Sequence, residues 1–333
     1  MIDDLIQQIM EEQHIPGLAV AIKRGDQTLV ENYSGYANLE HGVHVTSETI
    51  FEIASVTKLF TAQAILLLVQ ENRIRLEDTI TAYLDHIPPA WSKVTIQHCL
   101  THQSGIPGYT EVEQYWKITR NDKSHEEILA LIRDLPLKFE PGSRYAYDNT
   151  AFYLLGLIIE TVSGMKYKKF LDERIFRPLQ MIATQSNEYA QIIPHRCQGY
   201  TYRDDALTNK VFYSTSNTFS AGILMSTLSD LMRWRSSLFD DRILNSEIRQ
   251  KWWTPHPSIE GNEHLSGYSM GLGWFILESP IGQFVGHNGS IPGFSAAFLH
   301  FPDMNVSAVV LNNAGHVTEP HKIAIELIQQ LDT

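Results

Sequence analysis

Apolar residues at Ile2, Leu5, Ile6, Ile9 and Met10 recur at helical spacing, so the chain opens with an amphipathic helix whose apolar face needs a surface to lie on. A sheet supplies one. GLAVAIKRGDQTLVENYSGYA reads as two strands turned back on each other at Gly25-Asp26, a strong short-range hairpin signal. The far end of the chain mirrors this. GLGWFIL, QFVGHN, FSAAFLHF and VSAVVLNN read as strands, and EPHKIAIELIQQL closes the chain as a helix. Between about residues 90 and 255 the character changes, and HEEILALIRDL, NTAFYLLGLIIETVSG and LSDLMRWRSSLF carry the helical period. Strands at both ends with helices between them predict an α+β protein on one antiparallel sheet, made from both chain ends and flanked by the terminal helices. The expected division is 1–85 with 265–333 for the sheet region and 86–264 for an inserted, mainly helical region, with the functional site in the cleft between them. Repeats, low-complexity segments and linkers are absent from the pattern.

Composition narrows the possible functions. At 333 residues and 43% hydrophobic content, the chain can bury a sizeable core. Its 38 acidic residues outnumber 26 Lys and Arg, and the net charge of -12 repels phosphate backbones and anionic lipid, which argues against nucleic acid as a partner. The run AILLLV at 64–69 falls far short of the ~20 apolar residues a membrane span needs. MIDDLIQQIMEEQH carries neither a basic leader nor an apolar stretch of secretion-signal length. The chain as written is therefore expected in the cytoplasm, and outside it only if a signal was trimmed away. Cys99 and Cys197 are too few and too far apart for a disulfide framework and read as reduced core residues.

The candidate chemistry starts in FEIASVTKLFTAQAILLLVQ, where Ser55 and Lys58 stand three apart at the mouth of an apolar helix. That spacing puts both side chains on one face, within reach of each other. An amine there can take the serine's proton, the helix N-terminus favours the developing alkoxide, and apolar surroundings lower a lysine's pKa toward what a base requires. The plain alternative is a helix cap beside a solvated charge, and about one Ser-x-x-Lys match is expected by chance in a chain of this size. A second match, Ser163 to Lys166, has Gly164 after the serine and reads as a helix end and turn. Tyr145, Tyr147 and Tyr153 could likewise be rim or core aromatics before a helix capped by Asp148 or Asn149.

FEIASVTKLFTA, CLTHQSGIPGY, PGSRYAYDNTAFYLLGLIIE, SAGILMSTLSDLMRW and GHNGSIPGFSAAF occur in this order, and together they resemble the serine β-lactamase and penicillin-binding protein superfamily. The likeness covers nearly the whole chain. It points to the class C-like branch, with its D-alanyl-D-alanine carboxypeptidases, D-aminopeptidases and esterases. The resemblance implies a β-lactamase/transpeptidase-like fold and a serine hydrolase that forms an acyl-enzyme on an amide or ester, whether a D-amino-acid peptide, a β-lactam or a small ester. It further implies Ser55 as nucleophile, Lys58 as its proton partner, Tyr147 as proton shuttle and Asn149 as holder of the substrate's amide. Where many members have Lys-Thr-Gly, this chain reads His287-Asn288-Gly289. A histidine is mostly neutral near pH 7, so carboxylate-bearing β-lactams are expected to be poor substrates. Gly289 would let a substrate backbone approach, and Ser290 stands where the family supplies a second oxyanion N–H beside that of Ser55. No dedicated deacylating carboxylate is evident, no cofactor or metal is implied, and the partner is a small-molecule or peptide substrate, with oligomeric state open.

Rival readings remain. Gly267 to Gly271, GYSMG, fits the Gly-x-Ser-x-Gly elbow around Ser269, but strand-like GLGWFIL follows where a helix is required. His98 and His102 have a spacing that could hold zinc, though packing is preferred. A non-enzymatic sensor that is acylated once would keep Ser55 and Lys58. GIPGYTEVEQYW and YTYRDDALTNK are the expected substrate-selecting loops.

Overall fold

The computed structural model describes residues 2–256 and 268–331. The first helix, α1 (Ile2–Glu12), leads into β1 (Gly17–Arg24), β2 (Gln27–Asn38) and the short β3 (Val43–His44). After the helical region come β4 (Tyr268–Met270), β5 (Phe275–Ser279), β6 (Gly282–Ile291), β7 (Phe294–Phe301) and β8 (Val306–Asn312). Among the described residues they form one eight-stranded antiparallel sheet in the order β3-β2-β1-β8-β7-β6-β5-β4. The chain ends meet at its centre, where Leu18 lies opposite Asn312, Val20 opposite Val310 and Ile22 opposite Ala308.

Both faces of this sheet are covered, so β1, β7 and β8 read as nearly unbroken apolar runs rather than alternating ones. Leu18, Val20 and Ile22 pack under Ile6 and Ile9 of α1 and under Ile323, Leu327 and Ile328 of the closing helix. Ala19, Phe298 and Val309 face the larger core of the inserted helices. At its centre runs the helix Thr57–Gln70, buried on every side from Thr57 to Leu68, as a mostly apolar sequence without a polar face requires. It packs against the helix Asn149–Ser163, which Asp148 caps and Gly164 ends at φ 72. In chain order these helices are α2 (Thr57–Gln70), α3 (Asn149–Ser163), α4 (Leu228–Ser236) and α5 (Pro320–Leu331).

Several sequence expectations change in detail. Within GLGWFIL only residues 275–277 are strand, the start of β5, because residues 271–274 turn the chain between β4 and β5 with Gly273 at φ 87. HEEILALIRDL is helical only over His125–Ala130 before breaking into turns. The inserted region also holds strands: Phe51–Glu52, Leu224–Ser226 and Gln185–Ser186 form a small sheet, and YTYRDDALTNK forms a hairpin, Tyr200–Arg203 with Ala206–Asn209. Asp204 and Asp205 turn that hairpin at φ 51 and 58, the left-handed pair a two-residue turn needs.

Candidate active site

Ser55 lies in a single tight turn, Ala54–Val56, that runs straight into α2, so its hydroxyl stands just ahead of the helix's first turn. Ala54 holds φ 45, a costly conformation for a residue with a Cβ, kept here by the packing around the turn. On β6, a Cβ added to Gly289 would fall 2.2 Å from the Ile53 carbonyl oxygen and 3.0 Å from the Ser55 nitrogen. Only glycine lets β6 lie against the serine turn.

Lys58, fully buried, reaches back along α2 with its Nζ 3.1 Å from Ser55 Oγ, 2.8 Å from Asn149 Oδ1 and 2.8 Å from the Ala221 carbonyl oxygen. Burial holds its amine well below the usual lysine range, and the Asp148 carboxylate pulls the other way. The Tyr147 hydroxyl donates to Ser55 Oγ at 2.9 Å. Desolvation pushes that phenol above its ordinary range, partly offset by its bond to Ser55. Asn149 opens α3 with its Oδ1 on Lys58 and its Nδ2 donating to Thr110 Oγ1 at 3.0 Å. Ala221 is brought in because α3 carries Gly156, where a Cβ would sit 2.1 Å from Ser220 Oγ. Ser55, Lys58, Tyr147 and Asn149 therefore converge on one point.

A cleft of about 220 Å³ opens at Ser55. Tyr109, Thr110, Trp116, Tyr213, Ile291 and Pro292 form much of its wall, with Asn149, Thr218 and Ser290. Among the described lining residues there is no Lys, Arg, His, Asp or Glu. GIPGYTEVEQYW thus contributes three residues to the wall, whereas the hairpin strands of YTYRDDALTNK contribute none. His287 is not brought to the wall either. It is buried, its Nδ1 lies 2.5 Å from the Asn288 carbonyl oxygen, and its ring packs on Phe275 at 4.9 Å. Burial, with Lys58 nearby, holds its pKa at about 3, so the ring is neutral at neutral pH.

The decoys separate cleanly. Ser269 lies on the edge strand β4 opposite Ile276, and a turn and β5 follow it rather than a helix; Gly267 lies outside the described residues. Ser163 ends α3 with its Oγ accepting from the Met165 nitrogen, and Lys166 pairs with Glu160. His98 Nδ1 accepts from the Thr95 nitrogen and His102 Nδ1 from the Asp148 nitrogen, each at a helix start. Sequence reasoning offered Asp148 only as a helix cap and missed its burial and its charge on Lys58; its carboxylate takes bonds from Ser104 Oγ at 2.6 Å and the Thr150 nitrogen at 2.7 Å, and burial pushes its pKa up to about 6. Its place inside Tyr-Asp-Asn was the available signal. The Ala221 carbonyl had none, since any residue supplies one.

An antiparallel sheet closed by both chain ends, with a serine and a buried lysine at the mouth of a central helix, is the architecture of serine hydrolases of the penicillin-binding kind. The model of the family described as Beta-lactamase matches residues 2–333, and the chain belongs to that family. It is 28% identical to penicillin-binding protein 4* of Bacillus subtilis over 98% of this chain and 74% of that protein. Curated relatives that it matches extend further, the chain spanning 65% to 74% of their length. A penicillin binding protein from Bacillus halodurans superposes with a TM-score of 0.83 at 28% identity, covering 97% of this chain and 98% of that one. The D-amino acid amidase of Ochrobactrum anthropi SV3, complexed with D-phenylalanine, superposes with a TM-score of 0.85 at 25% identity over 99% of both chains.

Proposed function

We propose that this chain cleaves amides or esters through an acyl-enzyme on Ser55, with Lys58 rather than Tyr147 taking the serine's proton. One observation carries this reading: Lys58 Nζ stands 3.1 Å from Ser55 Oγ, within reach of the serine's proton, while Asn149 Oδ1 and the Ala221 carbonyl, which can only accept, take its N–H bonds, a set of partners that fits the amine before the transfer and the ammonium after it. A neutral amine satisfies all three, giving two N–H bonds to the carbonyls and its lone pair to the serine O–H. The downward push on Lys58 and the upward push on Tyr147 both favour that protonation state.

Ser55 Oγ attacks the carbonyl carbon as its proton passes to Lys58 Nζ. The tetrahedral oxyanion is held by the backbone N–H groups of Ser55 and Ser290, a role supported by the seating of Gly289 against the Ser55 amide. Tyr147 protonates the departing amine or alcohol as the C–N or C–O bond breaks, and the Lys58 ammonium returns the proton to Tyr147. Water then repeats the sequence on the acyl-enzyme and frees the acid.

Among the described residues, the uncharged wall and the buried, neutral His287 leave no cation to receive a substrate carboxylate. A D-amino-acid amide or small ester therefore fits ahead of a carboxylate-bearing β-lactam, and the amidase neighbour supports that order. The test is peptide mapping by mass spectrometry after incubation with p-nitrophenyl acetate and, separately, a penicillin. The expected result is a short-lived acetyl adduct on Ser55, slower penicillin acylation, and loss of at least ~10³-fold in turnover in Ser55→Ala. An adduct on Ser269, or full turnover by the variant, would sink the reading. An adduct that never turns over would instead mark a binding protein.

A further inference from the structure

The proton chemistry proposed above depends on where Tyr147 is held, and among the described residues its hydroxyl is bonded only to Ser55. The main chain around it is gripped from one residue. His102 accepts from the Ala146 nitrogen with its own carbonyl at 2.9 Å and from the Asp148 nitrogen with its Nδ1 at 3.0 Å, one bond on either side of Tyr147. Its ring lies against the Tyr147 ring with centroids 4.6 Å apart, and Phe275 stacks on Tyr147 at 6.2 Å. Two residues on, Ser104 ties down the Asp148 carboxylate. His102 is fully buried at φ 55, a conformation that persists in a non-glycine residue only where its surroundings over-determine it.

We infer that His102 is a positioning residue for Tyr147, clamping the backbone on both sides of it through a neutral imidazole. Accepting at Nδ1 puts the ring's proton on Nε2, which is buried and has no hydrogen-bond partner among the described residues. Among the described residues the side chain's one polar bond is thus the one to Asp148, and it touches neither Ser55 nor Lys58 through a hydrogen bond. The carbonyl bond to Ala146 survives any substitution, so the side chain's share can be isolated.

This inference rests on the acyl-enzyme reading, and the test separates the two. His102→Asn keeps an acceptor two bonds from Cβ, where Nδ1 stands, and tolerates the left-handed backbone. His102→Gln moves the acceptor one bond further out, and His102→Leu keeps bulk without an acceptor. Each is made alone and with Tyr147→Phe, and the rate of Ser55 acylation by D-phenylalanine amide, whose departing amine needs the Tyr147 proton where p-nitrophenolate would not, is read beside kcat and KM. Leu and Gln are expected to slow acylation by ~30-fold or more with KM within ~3-fold, Asn to stay within ~5-fold of the parent, and none to add more than ~2-fold on top of Tyr147→Phe. Asn as slow as Gln, or equal losses in both backgrounds, overturns the clamp. If Leu fails to fold, the Asn and Gln pair still decides. Ser55→Ala turning over normally, or Tyr147→Phe acylating at the parent rate, would instead bring down the mechanism beneath it.

Discussion

Lys58 shows how much a single side chain depends on its surroundings. Three residues from Ser55 it can reach the hydroxyl, but its neutral form follows from full burial, which no local pattern of residues displays. Asp148 works against that burial, its charge favouring the ammonium. Replacing Asp148 with Asn removes the counter-charge, so Lys58 loses its proton at lower pH. The acid limb of the kcat/KM profile, measured with a p-nitrophenyl ester, is expected to move toward lower pH. A limb that stays put or moves up would assign it to another group. That Ser55, Lys58, Tyr147 and Asn149 come together was legible from their motifs, because each motif fixes a residue type at a set spacing. His287 was legible as a position but not as an orientation: the ring turns inward beside Phe275 and Tyr147.

At the scale of elements, long periodic segments declared themselves. The terminal helices, the β1–β2 hairpin, β7 and β8, and α3 with its Asp148 cap and Gly164 end all fall where pattern and capping chemistry put them. Strands of two or three residues, such as Phe51–Glu52 and β4, are too short to show a period, and tertiary pairing alone makes them. The contact between β6 and the serine turn is the one on which the site hangs. Gly289→Ala would drive a Cβ into the Ile53 carbonyl, backbone that cannot swing aside. It is expected to destabilise the fold by ~1–3 kcal/mol and to lower kcat/KM by ~10²-fold or more, read by thermal unfolding and ester turnover. A variant with native stability and activity would show that β6 does not rest on Ser55 as described.

Across the whole molecule, one hydrophobic cluster runs from the sheet's inner face, through Ala19, Phe298 and Val309, into α2, α3 and α4. We propose on that ground that the regions 1–85 with 265–333 and 86–264 are lobes of one cooperative unit, so calorimetry should show a single transition. Two resolved transitions would make them separate domains. Stability should also respond to acid with a definite sign. His287 and His300 are buried with pKa values held down to about 3 and about 4, so on acidifying below 6.5 the unfolded chain takes up protons that the folded one refuses. Asp148, raised to about 6, acts oppositely, being protonated folded and ionised unfolded between 3.8 and that value. With the fully buried His102 held down in the same way, these histidines outweigh the one aspartate, so stability falls as pH drops from 6.5 toward 4, at up to about 1.4 kcal/mol per pH unit for each net proton. His300→Gln should flatten that slope in denaturant titrations, and an unchanged slope would remove His300 from the account. By itself the sequence determined the α+β class, the pairing of the two chain ends into one sheet, and the serine and lysine on one helix face, because periodicity, turn chemistry and motif spacing are local. Tertiary structure alone decided which carbonyls meet the Lys58 amine, that Asp148 is buried behind it, that His287 faces inward and that His102 grips the Tyr147 segment. Each of those is a contact between segments far apart in the chain, and its energy comes from burial that exists only once they have met.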